Sequence, residues 1–397
     1  MRIGMVLDRE FPPDDRVEKE ARSLIKAGFE VHLLCFTFGK LPAFEEYKGI
    51  KVHRVFMPKA LFKKLSALIL TVPFYRRFWR KKMETFVAEN KIDVLHIHDL
   101  PLVGTGLQIK KKYGIPLVAD MHENYPVFIS EIKFANTLLG KLLISKKQWF
   151  AKEKEWLSAV DRIVVVDAGM QERIEKQLTR PRPFVVVPNS PETKAVLESQ
   201  EDLPELKEKY RDPFVVFYFG GLDSRRGLDT LVDAAALLKD KIRPLKVVIV
   251  GSGSYEAVIR ERIKQQDVQD LFAFEGWHPV SHLQAFTQFA DVCVIPHLKS
   301  PQTDNSSPNK LFLYMLFKKP IVASNCRSIQ NIIEENNCGL IYESGNGRQL
   351  AEKILYVQQH PEEARAMGER GHRAVLEKYD WSIGADRLIE MYKGLQI

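Results

Sequence analysis

Cysteine is scarce in this chain, and no two cysteines are spaced as a redox pair or a metal clasp. Cys35, Cys293, Cys326 and Cys338 show no CxxC pattern. That excludes a disulfide scaffold and a zinc ribbon, and predicts reduced, packed thiols in a cytosolic protein. Long apolar runs are missing too: nothing approaches the roughly 18 residues needed to span a bilayer. The opening MRIGMVLD reads as the start of a strand rather than as a signal peptide. Low-complexity tracts are absent as well. Acid is missing locally: between Asp304 and Glu334 there is no carboxylate, although Lys310, Lys318, Lys319 and Arg327 lie there. A Pro-Asn-Lys turn opening a helix in such a stretch suits an anion.

At 397 residues the chain exceeds what one hydrophobic core usually supports, so two domains are expected. With 45% hydrophobic and 28% charged residues, it reads as an ordinary soluble globular protein. The formal charge of +8 is unevenly spread. Residues 1–192 hold 33 Lys+Arg against 23 Asp+Glu, a balance of +10, and the remainder holds 26 against 28, a balance of −2. A surface for anions is therefore expected in the first half.

Short β-branched runs alternate with helical stretches throughout: IGMVLD, VHLLCF, VLHIH, LVADMH, RIVVVD and FVVVPN, then FVVFYFGG, KVVIVG, FAFEGW, DVCVIP and PIVAS. Near-continuous apolar strands between helices predict α/β architecture with parallel sheets covered on both faces. Two such sets predict two doubly wound Rossmann-like domains. The polar stretch 190–212 contains the linker. Residues 1–192 form the first domain, joined by a closing helix at 380–397, and residues 193–379 form the second.

In such sheets ligands bind beyond the carboxyl ends of the strands. After the first strand, Pro12 and Pro13 stiffen a loop, and Asp14 or Asp15 can cap the helix that follows. The fourth strand ends in HIHD, with His96 and His98 on one face. The fifth ends in DMHE, giving Asp120, His122 and Glu123. These groups lack a helix-borne metal motif and suit a polyhydroxylated ligand such as a sugar, so no metal is expected. Substrate contacts are expected at Asp15, Arg16, His98, Asp99 and Glu123. In the second half, Gly220-Gly221 precedes Arg225-Arg226, and Gly251 and Gly253 follow the next strand. Glycine allows close backbone approach, and arginine neutralises phosphate. With Ser307, Pro308, Asn309 and Lys310 opening a helix, these loops point to a nucleotide diphosphate.

Residues 58–83 carry eight basic side chains and no acid, interleaved with large apolar residues. A helix of that kind suits an anionic membrane surface. No recognisable nucleic-acid module surrounds it, so nucleic acid is not an expected partner. Residues 140–156 have a weaker version of the same character.

The motifs DDRVEKEARSLIKAGFEV, HIHD, DMHE, VVVPNS, FGGLDSRRGLDTLVDA, VIVGSGSYE, SPNKLFLYM, KKPIVAS and DWS occur in that order. Together they resemble the GT-B-fold, retaining glycosyltransferases of family 4, along almost the entire chain. The resemblance implies two Rossmann-like domains facing across a cleft and a UDP- or GDP-linked sugar as co-substrate, with no other cofactor. It implies a glycan or lipid-linked acceptor in surface polysaccharide synthesis, at the cytoplasmic membrane face. It matches His122 to the family's histidine near the donor sugar and Arg226 to the second of two diphosphate-binding basic residues, the first being replaced by Gly221. Arg226, Lys310 and the 307–309 amides would then stabilise the leaving diphosphate. The family's glutamate pair falls on Asn305 and Leu313, and the second glutamate binds the ribose. Asp304 is the nearest substitute. Those departures leave two rivals: a non-catalytic glycan- or membrane-binding protein, and a nucleotide-sugar epimerase.

Overall fold

The computed structural model describes residues 1–58, 68–71, 73–131 and 133–395. The chain divides into two compact units, Met1–Pro188 with Gly384–Ile397, and Asn189–Ile383. The division falls a few residues from the 192 and 379 read from sequence. Asp380 accepts hydrogen bonds from the Thr193 amide (3.0 Å) and hydroxyl (2.6 Å), and the Trp381 amide donates to Pro191 O (2.9 Å). These bonds hold 189–193 and 380–383 together in the second unit.

The first unit is built on eight strands. They are β1 (Arg2–Glu10), β2 (Glu30–Thr37), β3 (Phe44–Tyr47), β4 (Ile50–Phe56), β5 (Val94–His98), β6 (Leu117–Met121), β7 (Arg162–Val165) and β8 (Phe184–Val186). Their order is β3-β4-β2-β1-β5-β6-β7-β8, and only the β3–β4 pair is antiparallel. Sequence reading missed that hairpin. Glu45, Glu46, Lys48 and Lys51 give it the polar alternation of a half-exposed edge rather than an apolar run.

The second unit has β9 (Phe214–Phe219), β10 (Leu245–Val250), β11 (Phe272–Gly276), β12 (Val292–Ile295), β13 (Ile321–Ser324) and β14 (Gly339–Tyr342). They are ordered β11-β10-β9-β12-β13-β14, all parallel. Alternate residues of β9 enter opposite cores: Val215 and Phe217 pack with Phe312 and Tyr314, while Val216 and Tyr218 pack with Leu231 and Val232. A strand buried on both faces has to be apolar along its length, and this explains why these runs were legible.

In both sheets the strand order reverses beside the first strand, at β1/β5 and at β9/β12. Such a switch point opens a crevice beyond the strand ends, where ligands bind in doubly wound folds. The residues that leave β1, β5 and β6 in one unit, and β9 and β12 in the other, are therefore the ones to inspect.

Candidate active site

In the first unit, β5 and β6 deliver a buried ionic cluster. The Asp120 carboxylate, wholly buried, lies 2.8 Å from His122 Nε2, 3.1 Å from His98 Nδ1 and 3.6 Å from His96 Nε2. Arg16 donates to its other oxygen at 3.0 Å, to Val187 O at 2.7 Å, and pairs with Glu20 at 3.0 Å. Tyr392, from the helix Trp381–Lys393, completes the cluster with its hydroxyl 2.5 Å from His96 Nδ1. Burial alone would raise Asp120, but the Arg16 guanidinium and His122 hold it well below the usual carboxylate range. Burial would lower His122, yet the Asp120 and Asp99 carboxylates raise it to about 9, so it is an imidazolium at neutral pH. Burial pushes His96 and His98 down, keeping them neutral, and pushes Glu20 up, with Asp120 reinforcing that shift.

Asp99 follows β5 with φ 64°, a conformation that costs a non-glycine residue about 1–3 kcal/mol. Its carboxylate pairs with Arg9 at 2.9 Å and lies 3.9 Å from His122 Nδ1. Asp8, at the end of β1, accepts a hydrogen bond from the Tyr75 hydroxyl, and burial lifts it to about 7 in spite of that bond. The strand ends thus gather Arg16, His98, Asp99 and His122. Glu123 sits half-buried in the next turn. Asp15 is not drawn in: its side chain is 77% exposed and pairs with Lys19, while Asp14 caps the helix Asp15–Lys26. Glu20, His96, His98 and Asp120 could hold a metal ion, with one ligand atom from each lying within 4.8 Å of the others. The Arg16 guanidinium already supplies positive charge to both carboxylates there.

In the second unit, glycine makes room for charge. Gly220 leaves β9 with φ 137°, and a Cβ there would meet Lys310 Nζ at 2.6 Å. A Cβ at Gly251 would strike Gly220 O at 1.9 Å, and one at Gly253 would strike Leu222 O at 2.1 Å. Both glycines therefore let the two strand-end loops stack backbone on backbone. Gly221 faces open space. Into this corner come Lys310, from the helix Asn309–Leu316, Arg226, and His297, which follows β12. Arg226 Nη1 donates to His297 Nε2 (3.2 Å) and Nε to Asp223 (3.1 Å), which also pairs with Arg225 at 3.2 Å. Lys310 Nζ is buried 3.8 Å above the Tyr218 ring and has no hydrogen-bond partner among the described residues. Burial, with Arg226 adding repulsion, pushes its pKa well below the usual lysine value; burial, then Lys310 and Arg226, do the same to His297. Ser307 and Ser328 share a 2.6 Å hydroxyl contact, and Pro308 offers the helix start no side-chain cap. Among the described residues the Lys310 amine has no hydrogen-bond partner, and the start of its helix has no side-chain cap.

The acidic side of the expected donor site is different. Leu313 is 2% exposed in the apolar core beside Phe312 and Tyr314. Asp304 accepts from the Arg327 amide at 2.8 Å, and Asn305 donates to Pro301 O at 2.7 Å. Sequence reading missed His297, Glu20 and the full role of His96. His297 stands directly after an apolar strand, so the strand-end rule itself would have found it.

Two family models match the chain: "Glycosyltransferase Family 4" over residues 16–194 and "Glycosyl transferases group 1" over residues 199–374. EpsD of Bacillus subtilis (strain 168), which bears a glycosyltransferase name, is 24% identical over 88% of this chain and 85% of its own length. The amylovoran biosynthesis glycosyltransferase AmsK of Erwinia amylovora is 24% identical over 42% of this chain and 41% of its own. The solved structure of sucrose-phosphate synthase (tll1590) from Thermosynechococcus elongatus superposes with TM-score 0.78 at 18% identity, covering 99% and 98% of the two chains. Anabaena Alr3699/HepE in complex with UDP superposes with TM-score 0.73 at 13% identity over all of both chains. The two Rossmann-like units are those of the GT-B fold.

Proposed function

The chain belongs to the GT-B-fold glycosyltransferases of family 4 and group 1, and from that premise we propose that it is a retaining hexosyltransferase using a UDP- or GDP-linked sugar. Its acceptor is a glycan or a lipid-linked saccharide in surface polysaccharide synthesis, met at the cytoplasmic membrane face. The observation that carries the donor half is Lys310: an ammonium, buried and unpartnered, beside Arg226, His297 and an uncapped helix start. A buried cation without a partner is unfavourable until an anion arrives. A diphosphate would satisfy Lys310 and the helix amides together.

In the reaction, negative charge grows on the leaving diphosphate as the glycosidic bond to the donor breaks. Arg226, Lys310 and the backbone N–H groups of Ser307 and Asn309 would stabilise that charge where it develops. His122 offers a positively charged donor for a sugar hydroxyl. No side chain is assigned as nucleophile or base; the leaving phosphate takes the acceptor proton. Titration calorimetry with UDP, GDP and their common sugar conjugates tests the proposal, and it falls if none of them produces heat.

A second reading, a binder without transfer, is favoured by Leu313 in the core and by the open space at Gly221. Both positions lack the groups that the family uses. Donor binding with no sugar transferred to any acceptor extract, and no donor hydrolysis, would select it. Among the described residues, no helix is long and apolar enough to cross a membrane.

A further inference from the structure

The basic stretch 58–83 was expected to provide a membrane contact. Residues 59–67 and 72, with Lys63 and Lys64, lie outside the described residues. In the remainder, the helix Pro73–Asn90 turns Tyr75, Trp79, Met83, Phe86 and Val87 into its own unit's core. That helix presents charge outward at Arg77, Arg80, Lys81 and Lys82, and a large apolar side chain at Phe74, in its first turn and 60% exposed. An anchor needs exposed apolar side chains beside the charge.

A different element meets that description. Leu138 and Leu142 are 91% and 80% exposed, the two most exposed large apolar side chains among the described residues. They stand one turn apart on the helix Leu138–Leu143, so they project from one face. Thr137 caps this helix by accepting from the Gly140 amide at 3.0 Å. Gly140 lets the helix close on the preceding turn, since a Cβ there would strike Phe134 O at 1.8 Å. Ala135 and Ile144, on either side, are buried. The element is therefore tied down at both ends with its leucine face outward. From 132 to 152 the chain has no acid and five lysines. Lys141, Lys146 and Lys147 are exposed and have no ion pair among the described residues.

We propose that the helix 138–143, with Lys141, Lys146 and Lys147, is a shallow insertion element for an anionic lipid surface. Two leucines on one turn offer too little area for a stable protein interface, which needs about 800 Å² per partner. A second copy docking through the same patch would bring like lysines together, because a twofold interface pairs each patch with itself. A bilayer rich in anionic headgroups accepts both the leucines and the lysines. This takes up the membrane part of the proposal above and supplies its element; the donor chemistry does not depend on it.

The test is co-sedimentation with vesicles of phosphatidylcholine and phosphatidylglycerol against phosphatidylcholine alone. It uses the full chain, Leu138→Ser/Leu142→Ser, and Lys141→Glu/Lys146→Glu/Lys147→Glu. Nucleotide titration of each variant checks that the second unit is intact, and near-ultraviolet circular dichroism checks the first. Binding of the wild-type chain to anionic vesicles that weakens at least about tenfold in both variants, with unchanged spectra, supports the proposal. It is overturned if the wild-type chain does not sediment with anionic vesicles, or if the leucine variant binds as well as wild type. It is equally overturned if the leucine variant instead dissolves a dimer seen by analytical ultracentrifugation. Failure of donor binding, by contrast, would overturn the transferase reading and leave this one standing.

Discussion

Replacing Lys310 with methionine should make the empty protein more stable and the donor complex weaker. In the empty site the Lys310 amine lies buried with no hydrogen-bond partner among the described residues, its Nζ 3.8 Å above the Tyr218 ring and its charged form repelled by Arg226. Leaving a buried polar group unsatisfied costs about 1–3 kcal/mol, and the ring returns roughly 1 kcal/mol of that. Methionine keeps most of the volume and removes the penalty but forfeits the ring contact, for a net gain of up to about 2 kcal/mol. For a unit of this size that corresponds to a rise of up to about 8 °C in melting temperature. A charge-assisted bond to phosphate contributes about 1.5–3 kcal/mol, so donor affinity should fall about ten- to hundredfold. Thermal melts of the ligand-free protein and calorimetry with UDP and GDP read the two effects separately. A lower melting temperature with unchanged affinity would refute the reasoning, because Lys310 would then be holding the fold rather than awaiting an anion.

Other consequences can be measured on the same footing. His122 has a folded value of about 9, above the ordinary 6.5. Its stabilising contribution is therefore complete below about 6.5 and is lost as pH rises through about 9. Melts of wild type and His122→Gln from pH 6 to 10 should differ at neutral pH and converge above about 9, and wild-type transfer activity should fall over the same alkaline range. Gly220→Ala forces a Cβ to 2.6 Å from Lys310 Nζ at φ 137°. Strain of about 1–3 kcal/mol and a loss of donor affinity should both appear, in melts and in titrations. Leu313→Glu buries a carboxylate in an apolar cluster, so the second unit should lose about 1–3 kcal/mol. Nucleotide affinity should not improve; a tenfold gain would mean that the helix turns this position toward the ribose.

The strands of both sheets were readable because burial on both faces demands unbroken apolar runs. β3 and β4 were not, since an edge hairpin carries its charges on the pleat. The corner formed by Gly220, Arg226 and Lys310 was readable for a local reason: each sits at a strand end or a helix start. The cluster around Asp120 was only half visible. His98 and His122 announce themselves at strand ends, but Glu20 looks like an ordinary helix surface residue until the fold brings it to Arg16 and Asp120. Tyr392 is separated from His96 by 296 positions, and no local pattern joins them. Leu313 marks the opposite case. The family's wording assigned it a role, whereas its packing shows an ordinary core residue.

Tyr392 also sets an order of events during synthesis. The first unit's sheet is complete once residue 186 has emerged, yet the partner of His96 is made only after the whole second unit. Until then His96 Nδ1 lacks the hydroxyl that it meets in the folded unit. A chain stopped short of the helix Trp381–Lys393 would carry Arg16, Glu20, His98, Asp120 and His122 and still lack the hydroxyl that meets His96. Closure of the ionic cluster thus depends on a helix that follows the second unit in sequence, so a cut between the units would part His96 from the Tyr392 hydroxyl.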